Sequence, residues 1–336
     1  MRKAKSGAQG RLETLILDSK LLGDNLLGDP ARRQVAVYLP PGHDGRGLPL
    51  LVDLAGFTGS GLAHLAWKNF GENLPERLDR LIAGGTLPPV AVALPDCFTR
   101  LGGNQYIDSL AMGPWERFLI EEMVPLVERQ FGCGGAARRG VFGKSSGGYG
   151  AMVQALRRPD FWAAAACHSG DMGFDLCYLP EFPKVLRALD RHQGSIEAFV
   201  TAFEAALKPD GKDVEILMAL AMCATYDPDP KAFLGIRLPV DLKTCEAIPE
   251  RWDRWRAWDP LTLVETLGPG LKKLKALFID CGDRDQYNLL YGARRLTRAL
   301  TRLGVAHRYE EFPDDHTAID YRLDVSLPFV ARALSA

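Results

Sequence analysis

Short apolar runs alternate with amphipathic stretches along most of the chain. The runs that predict strands lie at 35–39, 48–54, 90–94, 140–142, 163–167 and 276–279, with a more polar candidate at 307–312. Continuous apolar strands are typical of a parallel sheet that is covered on both faces. Apolar residues recur at helical spacing over 116–131, 148–157, 289–303 and 327–334. This alternation predicts an α/β protein with a doubly wound, mostly parallel sheet and helices on both faces.

One long segment, 175–265, departs from this alternation. It contains no convincing strand, has helical patterns over 196–207 and 214–223, and then becomes rich in proline. It also holds Trp252, Trp255 and Trp258, which are half of the 6 tryptophans. We interpret it as a helical insertion between two sheet strands that forms a lid or cap. We expect the remainder of 12–336 to belong to the same single domain, preceded by a flexible tail over 1–11.

Charge and hydropathy exclude several classes of protein. The 41 basic and 42 acidic side chains give a formal net charge of -1, which argues against binding nucleic acid. Apolar residues make up 47% of the chain and charged residues 25%, as in ordinary globular proteins. The longest apolar stretches are short and interrupted, so we expect no membrane span.

The cysteines and the first residues bear on the compartment. The 7 cysteines are odd in number and include no C-x-x-C pair or zinc-like spacing with histidine. We interpret them as mostly buried thiols of a reducing compartment, which predicts a cytoplasmic protein. The basic start is not followed by an apolar run before Leu12, so we expect no secretory signal peptide. No motif indicates a metal or a cofactor.

The strongest chemical signal is the G-x-S-x-G pattern of Gly143 to Gly147, with Ser145 at its centre. It follows a short apolar strand and precedes an amphipathic helix, the context of a nucleophile elbow in which crowded backbones require glycine. The competing interpretation is a phosphate-binding loop, since Gly143, Lys144 and Ser145 resemble its end. That loop needs a glycine at position 138, which is Arg138, so we reject it.

A serine nucleophile requires a histidine base and an acid that orients the base. His316 lies just after the last predicted strand, at the sheet edge where ligands bind, and we predict it as the base. His307 and His192 fit less well, because one begins that strand and the other lies in the insertion. The acid is expected after the preceding strand, where Asp285 is favoured over Asp283.

Two backbone amides are candidates for the oxyanion hole. The N–H of Ser146 follows the nucleophile at a helix N-terminus, and that of Phe57 lies in the glycine-rich loop after the strand 48–54. Further candidates for substrate contact are Gly56, Gln105, Tyr106, Trp252 and Trp255. For Gln105 and Tyr106 an ordinary surface loop is an equal alternative, and for the two tryptophans we favour packing.

These residues together resemble the putative-esterase family of α/β-hydrolases, which includes S-formylglutathione hydrolases, feruloyl esterases, enterochelin esterases and mycolyltransferases. The resemblance rests on the motif 143–151, on 54–57, on Gly282-x-x-Asp285 and on His316. It implies an α/β-hydrolase fold, the triad of Ser145, Asp285 and His316, and an oxyanion hole at Phe57 and Ser146. Many relatives carry a bulky residue such as methionine where this chain has Ser146, and the insertion is longer than in simple members.

The leading hypothesis is a serine hydrolase of a small carboxylic ester that acts through an acyl-enzyme and needs no cofactor. An acyltransferase would use the same acyl-enzyme and differ only in the acceptor. A non-catalytic binding protein with the hydrolase fold is the third hypothesis. A homodimer through the insertion is conceivable.

Overall fold

One eight-stranded sheet organises the part of the chain that the computed structural model describes, residues 8–336. Its strands are β1 (Arg11–Asp18), β2 (Arg32–Leu39), β3 (Leu50–Leu54), β4 (Ala91–Pro95), β5 (Arg139–Lys144), β6 (Ala164–His168), β7 (Ala276–Gly282) and β8 (Arg308–Phe312). Their spatial order is β1-β2-β4-β3-β5-β6-β7-β8. The pairs β1–β2 and β2–β4 are antiparallel and all others are parallel, which confirms the predicted fold class.

Helices cover both faces of this sheet. They are α1 (Leu74–Ala83), α2 (Trp115–Arg117, a π-helical Phe118–Met123 and Val124–Phe131), α3 (Ser146–Arg157), α4 (Phe174–Cys177), α5 (Phe182–Asp190), α6 (Ile196–Ala205), α7 (Gly211–Tyr226), α8 (Pro249–Arg256), α9 (Pro260–Leu267), α10 (Leu289–Arg302) and α11 (Leu323–Ser335). Short 3-10 turns include Gly61–Leu65 and Ile319–Arg322.

Two hydrophobic cores lie on opposite faces of the sheet, because neighbouring side chains of each strand point to opposite faces. On β5, Val141 belongs to the core that includes buried residues of α3 and α10, whereas the neighbouring Phe142 belongs to the core that includes those of α1 and α11. On β3, Val52 and Leu51 divide in the same way. Because both faces are buried, these strands are apolar at nearly every position, which is why the sequence pattern located them well.

The first strand, β1, was missed by the sequence analysis. It begins at Arg11, within the predicted tail, while residues 1–7 of that tail lie outside the described residues. As an edge strand it pairs only with β2, and its apolar side chains stay half exposed, with Leu12 47% and Ile16 46% exposed. The four apolar residues of β1, Leu12, Leu15, Ile16 and Leu17, fall on both faces of the strand, so they follow neither a regular alternation nor a long continuous run.

The segment 175–265 enters between β6 and β7 and is largely helical, as predicted, with a loop over 227–248 that contains an isolated bridge between Val240 and Ala247. Two of its tryptophans, Trp252 and Trp255, belong to an aromatic cluster. The ring of Trp255 is fully buried and lies 5.2 Å from the ring of Tyr226 and 5.6 Å from that of Phe182. Tyr226 in turn contacts Tyr149 of α3 at 5.8 Å, so the insertion is packed onto the helix that follows the motif.

All seven cysteines are free and six are buried, as the sequence analysis expected. Burial raises the pKa of the thiols of Cys167 and Cys223, among others. No helix within residues 8–336 has the length and apolarity needed to cross a membrane.

A buried polar network joins the sheet to α11. His168, at the end of β6, has Nδ1 2.7 Å from Oδ1 of Asp280 and Nε2 2.8 Å from Oγ of Ser326. The guanidinium of Arg322 donates to the other carboxylate oxygen of Asp280 at 2.8 Å. Asp280 and Ser326 are fully buried, and we assign this Ser–His–Asp chain to packing, although His168 also borders the cavity described below.

We predict that Arg322→Met destabilises the fold by roughly 3 kcal/mol or more, because it leaves the buried Asp280 carboxylate without its cation. Urea unfolding followed by circular dichroism measures this change. The control is Arg302→Met, whose pair with Glu265 is more than half exposed and should contribute at most about 1 kcal/mol. Equal stability losses in the two variants would contradict a structural role for the Asp280 network.

Candidate active site

Ser145 occupies a strained turn between β5 and α3. Its backbone has φ 57° and ψ −126°, a conformation that a residue with a side chain rarely adopts. A Cβ on Gly147 would lie 1.8 Å from the carbonyl oxygen of Leu54, and one on Gly143 would lie 2.4 Å from the same atom. The backbone of this turn is therefore pressed against the end of β3, and the glycines of the motif are a steric requirement.

The structure brings Asp285 and His316 into direct contact. Asp285 follows β7 and His316 follows β8, and Oδ2 of Asp285 lies 2.7 Å from Nδ1 of His316. Both residues are more than nine-tenths buried. Oδ1 of Asp285 accepts a hydrogen bond from the N–H of Tyr287 at 3.0 Å, which holds the carboxylate in place. The alternative acid, Asp283, has a partly exposed side chain 3.5 Å from that of Arg284.

Ser145 and His316 border the same cavity, which encloses about 700 Å³. Among residues 8–336, His316 forms its hydrogen bonds with Asp285 and Gln286 and none with Ser145. In unliganded enzymes the bond between nucleophile and base is often long and tightens when substrate binds. The ring of Tyr287 lies edge-on to that of His316 at 4.9 Å and limits its tilt.

The two predicted oxyanion donors lie on the turns around the nucleophile. Ser146 is the first residue of α3, where a backbone N–H has no acceptor within its own helix. Phe57 lies in the turn after β3 and borders the cavity together with Gly56. This turn is fixed from behind, because the hydroxyl of Tyr106 donates to the carbonyl of Ala55 at 2.6 Å.

Gln105 and Tyr106 are buried behind the cavity rather than among its lining residues. Nε2 of Gln105 donates to Oγ of Ser146 at 2.8 Å, and that hydroxyl lies 3.3 Å from Oδ2 of Asp171. Tyr178 donates its hydroxyl to the same carboxylate oxygen at 2.7 Å. Together these groups fix the side chain of the residue that follows the nucleophile.

Neither Trp252 nor Trp255 is a lining residue, so we assign both to the packing of the insertion. The insertion instead supplies one wall of the cavity through other residues: Cys177, Tyr178, Gly211, Val214, Glu215 and Met218. Their contact with the cavity could not be predicted from helical periodicity, because it depends on how the insertion packs against the rest of the domain.

Polar residues that were not predicted from the sequence also border the cavity from the sheet side. These are Asp53, Thr58, His64, Lys144, His168, Asp171 and Asp320. For Asp53, Lys144 and Asp171 the available signal was their place at or just after the carboxyl end of a parallel strand, where ligand sites of such sheets form. Among the described residues, no group of three or more histidine, cysteine, aspartate or glutamate side chains could hold a metal ion.

The sequence over residues 30–326 matches the family model described as putative esterase. The chain belongs to the putative-esterase family. On that membership, it is an enzyme that hydrolyses carboxylic esters.

Solved structures agree on the fold of this esterase. A ferulic acid esterase is 20% identical with a TM-score of 0.60, over 97% of this chain and all of its own. FphF, a fluorophosphonate-binding serine hydrolase of Staphylococcus aureus, is 16% identical with a TM-score of 0.58, over 98% of this chain and 99% of its own. An S-formylglutathione hydrolase from Agrobacterium tumefaciens is 17% identical with a TM-score of 0.57, over 98% of each chain.

We predict that Gly147→Ala destabilises the esterase by roughly 3 kcal/mol or more, because the added methyl group overlaps the Leu54 carbonyl and the backbone must move. Thermal unfolding by calorimetry measures the loss. The matched control is Gly23→Ala, where a Cβ would meet its nearest atom at 3.9 Å. A Gly147→Ala protein as stable as the control would show that the turn is not held against β3.

Proposed function

We propose that this esterase cleaves a small-molecule carboxylic ester through an acyl-enzyme on Ser145, with His316 as the base and Asp285 as the orienting acid. The observation that carries the proposal is the strained turn that exposes Ser145 to the same cavity as the hydrogen-bonded Asp285–His316 pair. This combination of an exposed serine, a base and its orienting acid is the arrangement required for nucleophilic catalysis.

The reaction begins when Oγ of Ser145 attacks the ester carbonyl and its proton passes to Nε2 of His316. The contact of Asp285 with Nδ1 supports this role, since it keeps the proton on Nδ1 and leaves Nε2 free to accept another. The carbonyl oxygen becomes an oxyanion, which the N–H groups of Phe57 and Ser146 stabilise. Backbone donors need no reorganisation at that moment, because the packing of the turns already fixes them.

Collapse of the tetrahedral intermediate breaks the bond to the alcohol, which leaves with the proton held by His316. Water then attacks the acyl group, again with His316 as the base, and the acid is released with Ser145 restored. The cavity of about 700 Å³ supports a small substrate. Val214 and Met218 of the insertion give it an apolar wall that suits an acyl chain.

An acyltransferase would share every step up to the acyl-enzyme, and an alcohol would then replace water. Products formed in the presence of added alcohols distinguish the two reactions. A purely binding protein is disfavoured, because such a protein has no use for the strained turn at Ser145. A cytoplasmic location, which the free thiols favour, and a homodimer remain predictions.

We predict that Ser145→Ala lowers kcat on p-nitrophenyl acetate by roughly 10⁴-fold or more, since the nucleophile is lost. Asp285→Asn should lower it by a similar factor, about 10⁴-fold, because the amide favours the wrong tautomer of His316. The matched control is Asp283→Asn, which changes a carboxylate two residues away that does not contact His316. Steady-state kinetics on all three purified proteins measures the effects.

Two outcomes would contradict the mechanism. If Ser145→Ala kept most of its activity, the nucleophile would be another group. If Asp283→Asn lost as much activity as Asp285→Asn, the acid would be misassigned. Mass spectrometry after treatment with a fluorophosphonate should place the adduct on Ser145 in the wild type.

A further inference from the structure

Five charged side chains form a cluster on the sheet side of the cavity, and the proposed mechanism uses none of them. We call Asp53, His64, Lys68, Lys144 and Asp320 the charged cluster. Four of them border the cavity, and Lys68 borders a small adjoining pocket together with His64 and Asp320. Asp53 and Lys144 come from the ends of β3 and β5, and the others come from the 3-10 turns and the loop beside them.

Both carboxylates of the charged cluster already have a hydrogen-bonded cation. Oδ2 of Asp53 binds Nδ1 of His64, and Oδ2 of Asp320 binds the amino group of Lys68. The Asp53 carboxylate is the main cause that raises the pKa of His64, which favours the imidazolium. With His64 protonated, each of the two carboxylates is balanced by its own cation, which leaves Lys144 as the remaining cation of the cluster.

Lys144 is the cation of the cluster that has no partner of its own. Within residues 8–336 its amino group forms neither a hydrogen bond nor an ion pair. Burial lowers the pKa of this amino group, and the strongest opposing influence is Asp320, whose carboxylate is bound to Lys68. The side chain of Lys144 is partly exposed, and an anionic ligand in the cavity would give its amino group an acceptor of its own.

Lys144 lies next to the proposed nucleophile in the chain. It immediately precedes Ser145, so their Cα atoms are about 3.8 Å apart. The carboxylates that act most on Lys144 are Asp320, Asp285 and Asp315. Lys144 therefore brings to the wall beside Ser145 a cation that is not bound to any of these carboxylates.

We propose that Lys144 binds an anionic oxygen group of the substrate, so that the esters this enzyme prefers carry a carboxylate or a phosphate. The inference rests on the proposed function and specifies its substrate class. A compact ammonium suits either group, because it acts as a point charge with three rotatable donors and imposes no planar geometry. Lys144 is thus a specificity-determining residue, while bond cleavage remains with Ser145 and His316.

The test compares esters that carry an anionic group with neutral esters of similar size. On the acyl side, mono-p-nitrophenyl glutarate is compared with p-nitrophenyl pentanoate. On the alcohol side, p-acetoxybenzoate and p-acetoxyphenyl phosphate are each compared with methyl p-acetoxybenzoate. In at least one pair, the wild type should favour the anionic ester by about tenfold or more in kcat/KM, the size expected for one charged hydrogen bond. The pair that responds identifies the group and the side of the ester bond.

Lys144→Met removes the charge and keeps the length of the side chain. We expect it to reduce the ratio of anionic to neutral kcat/KM by about 10-fold to 100-fold, whereas Lys144→Arg retains part of the preference. The control is Lys273→Met, since Lys273 is paired with Asp160 on the surface and does not border the cavity. Thermal unfolding verifies that each variant is folded, and Lys144→Gln replaces the methionine variant if that variant is not.

The outcomes separate this inference from the proposed function. If the wild type cleaves neutral esters through Ser145 without favouring any anionic ester, the role of Lys144 is overturned and the mechanism stands. A preference that survives both Lys144→Met and Lys144→Gln overturns it as well. If no ester is cleaved and a fluorophosphonate does not label Ser145, the proposed function fails and the inference fails with it.

Discussion

The close contact between two backbones at the carboxyl end of the sheet is the constraint on which the site depends. The turn at Ser145 can press against β3 only because Gly143 and Gly147 have no side chain where the Leu54 carbonyl lies. This packing holds Ser145 in its strained conformation. The stability of the surrounding parallel strands offsets the strain.

Three histidine–aspartate pairs occur in the described chain, and their surroundings distinguish them. His168 and Asp280 complete a hydrogen-bonded Ser–His–Asp chain with Ser326, but the buried guanidinium of Arg322 neutralises Asp280 and the serine is sealed. The pair of His64 and Asp53 belongs to the charged cluster that includes Lys144. The pair that our proposal assigns to catalysis lies on loops at the same sheet edge as Ser145. Access of the pair to the nucleophile and the charges around it, rather than its hydrogen bonds alone, distinguish a pair proposed for catalysis from one that serves packing.

The insertion couples stability to the shape of the cavity. Its aromatic cluster around Trp255 packs through Tyr226 onto Tyr149, in the helix that begins at the nucleophile turn. Tyr178 belongs both to this cluster and to the cavity wall. The apolar wall formed by α7 therefore depends on contacts made far from the reacting bond. In this way a long insertion shapes the pocket without supplying a member of the proposed triad.

By itself, the sequence determined the fold class, seven of the eight strands of the central sheet and the candidate triad, because buried strands, glycine turns and chain order leave local patterns. It could not locate β1, whose apolar residues fall on both faces of an edge strand without a regular alternation. It could not choose firmly between Asp283 and Asp285 either, since the choice depends on which carboxylate reaches His316. Only the tertiary structure placed Gln105 behind Ser146 and gathered Asp53, His64, Lys144 and Asp320 at one cavity. Those relations join residues far apart in the chain, and contacts of that kind leave no periodicity in a single sequence.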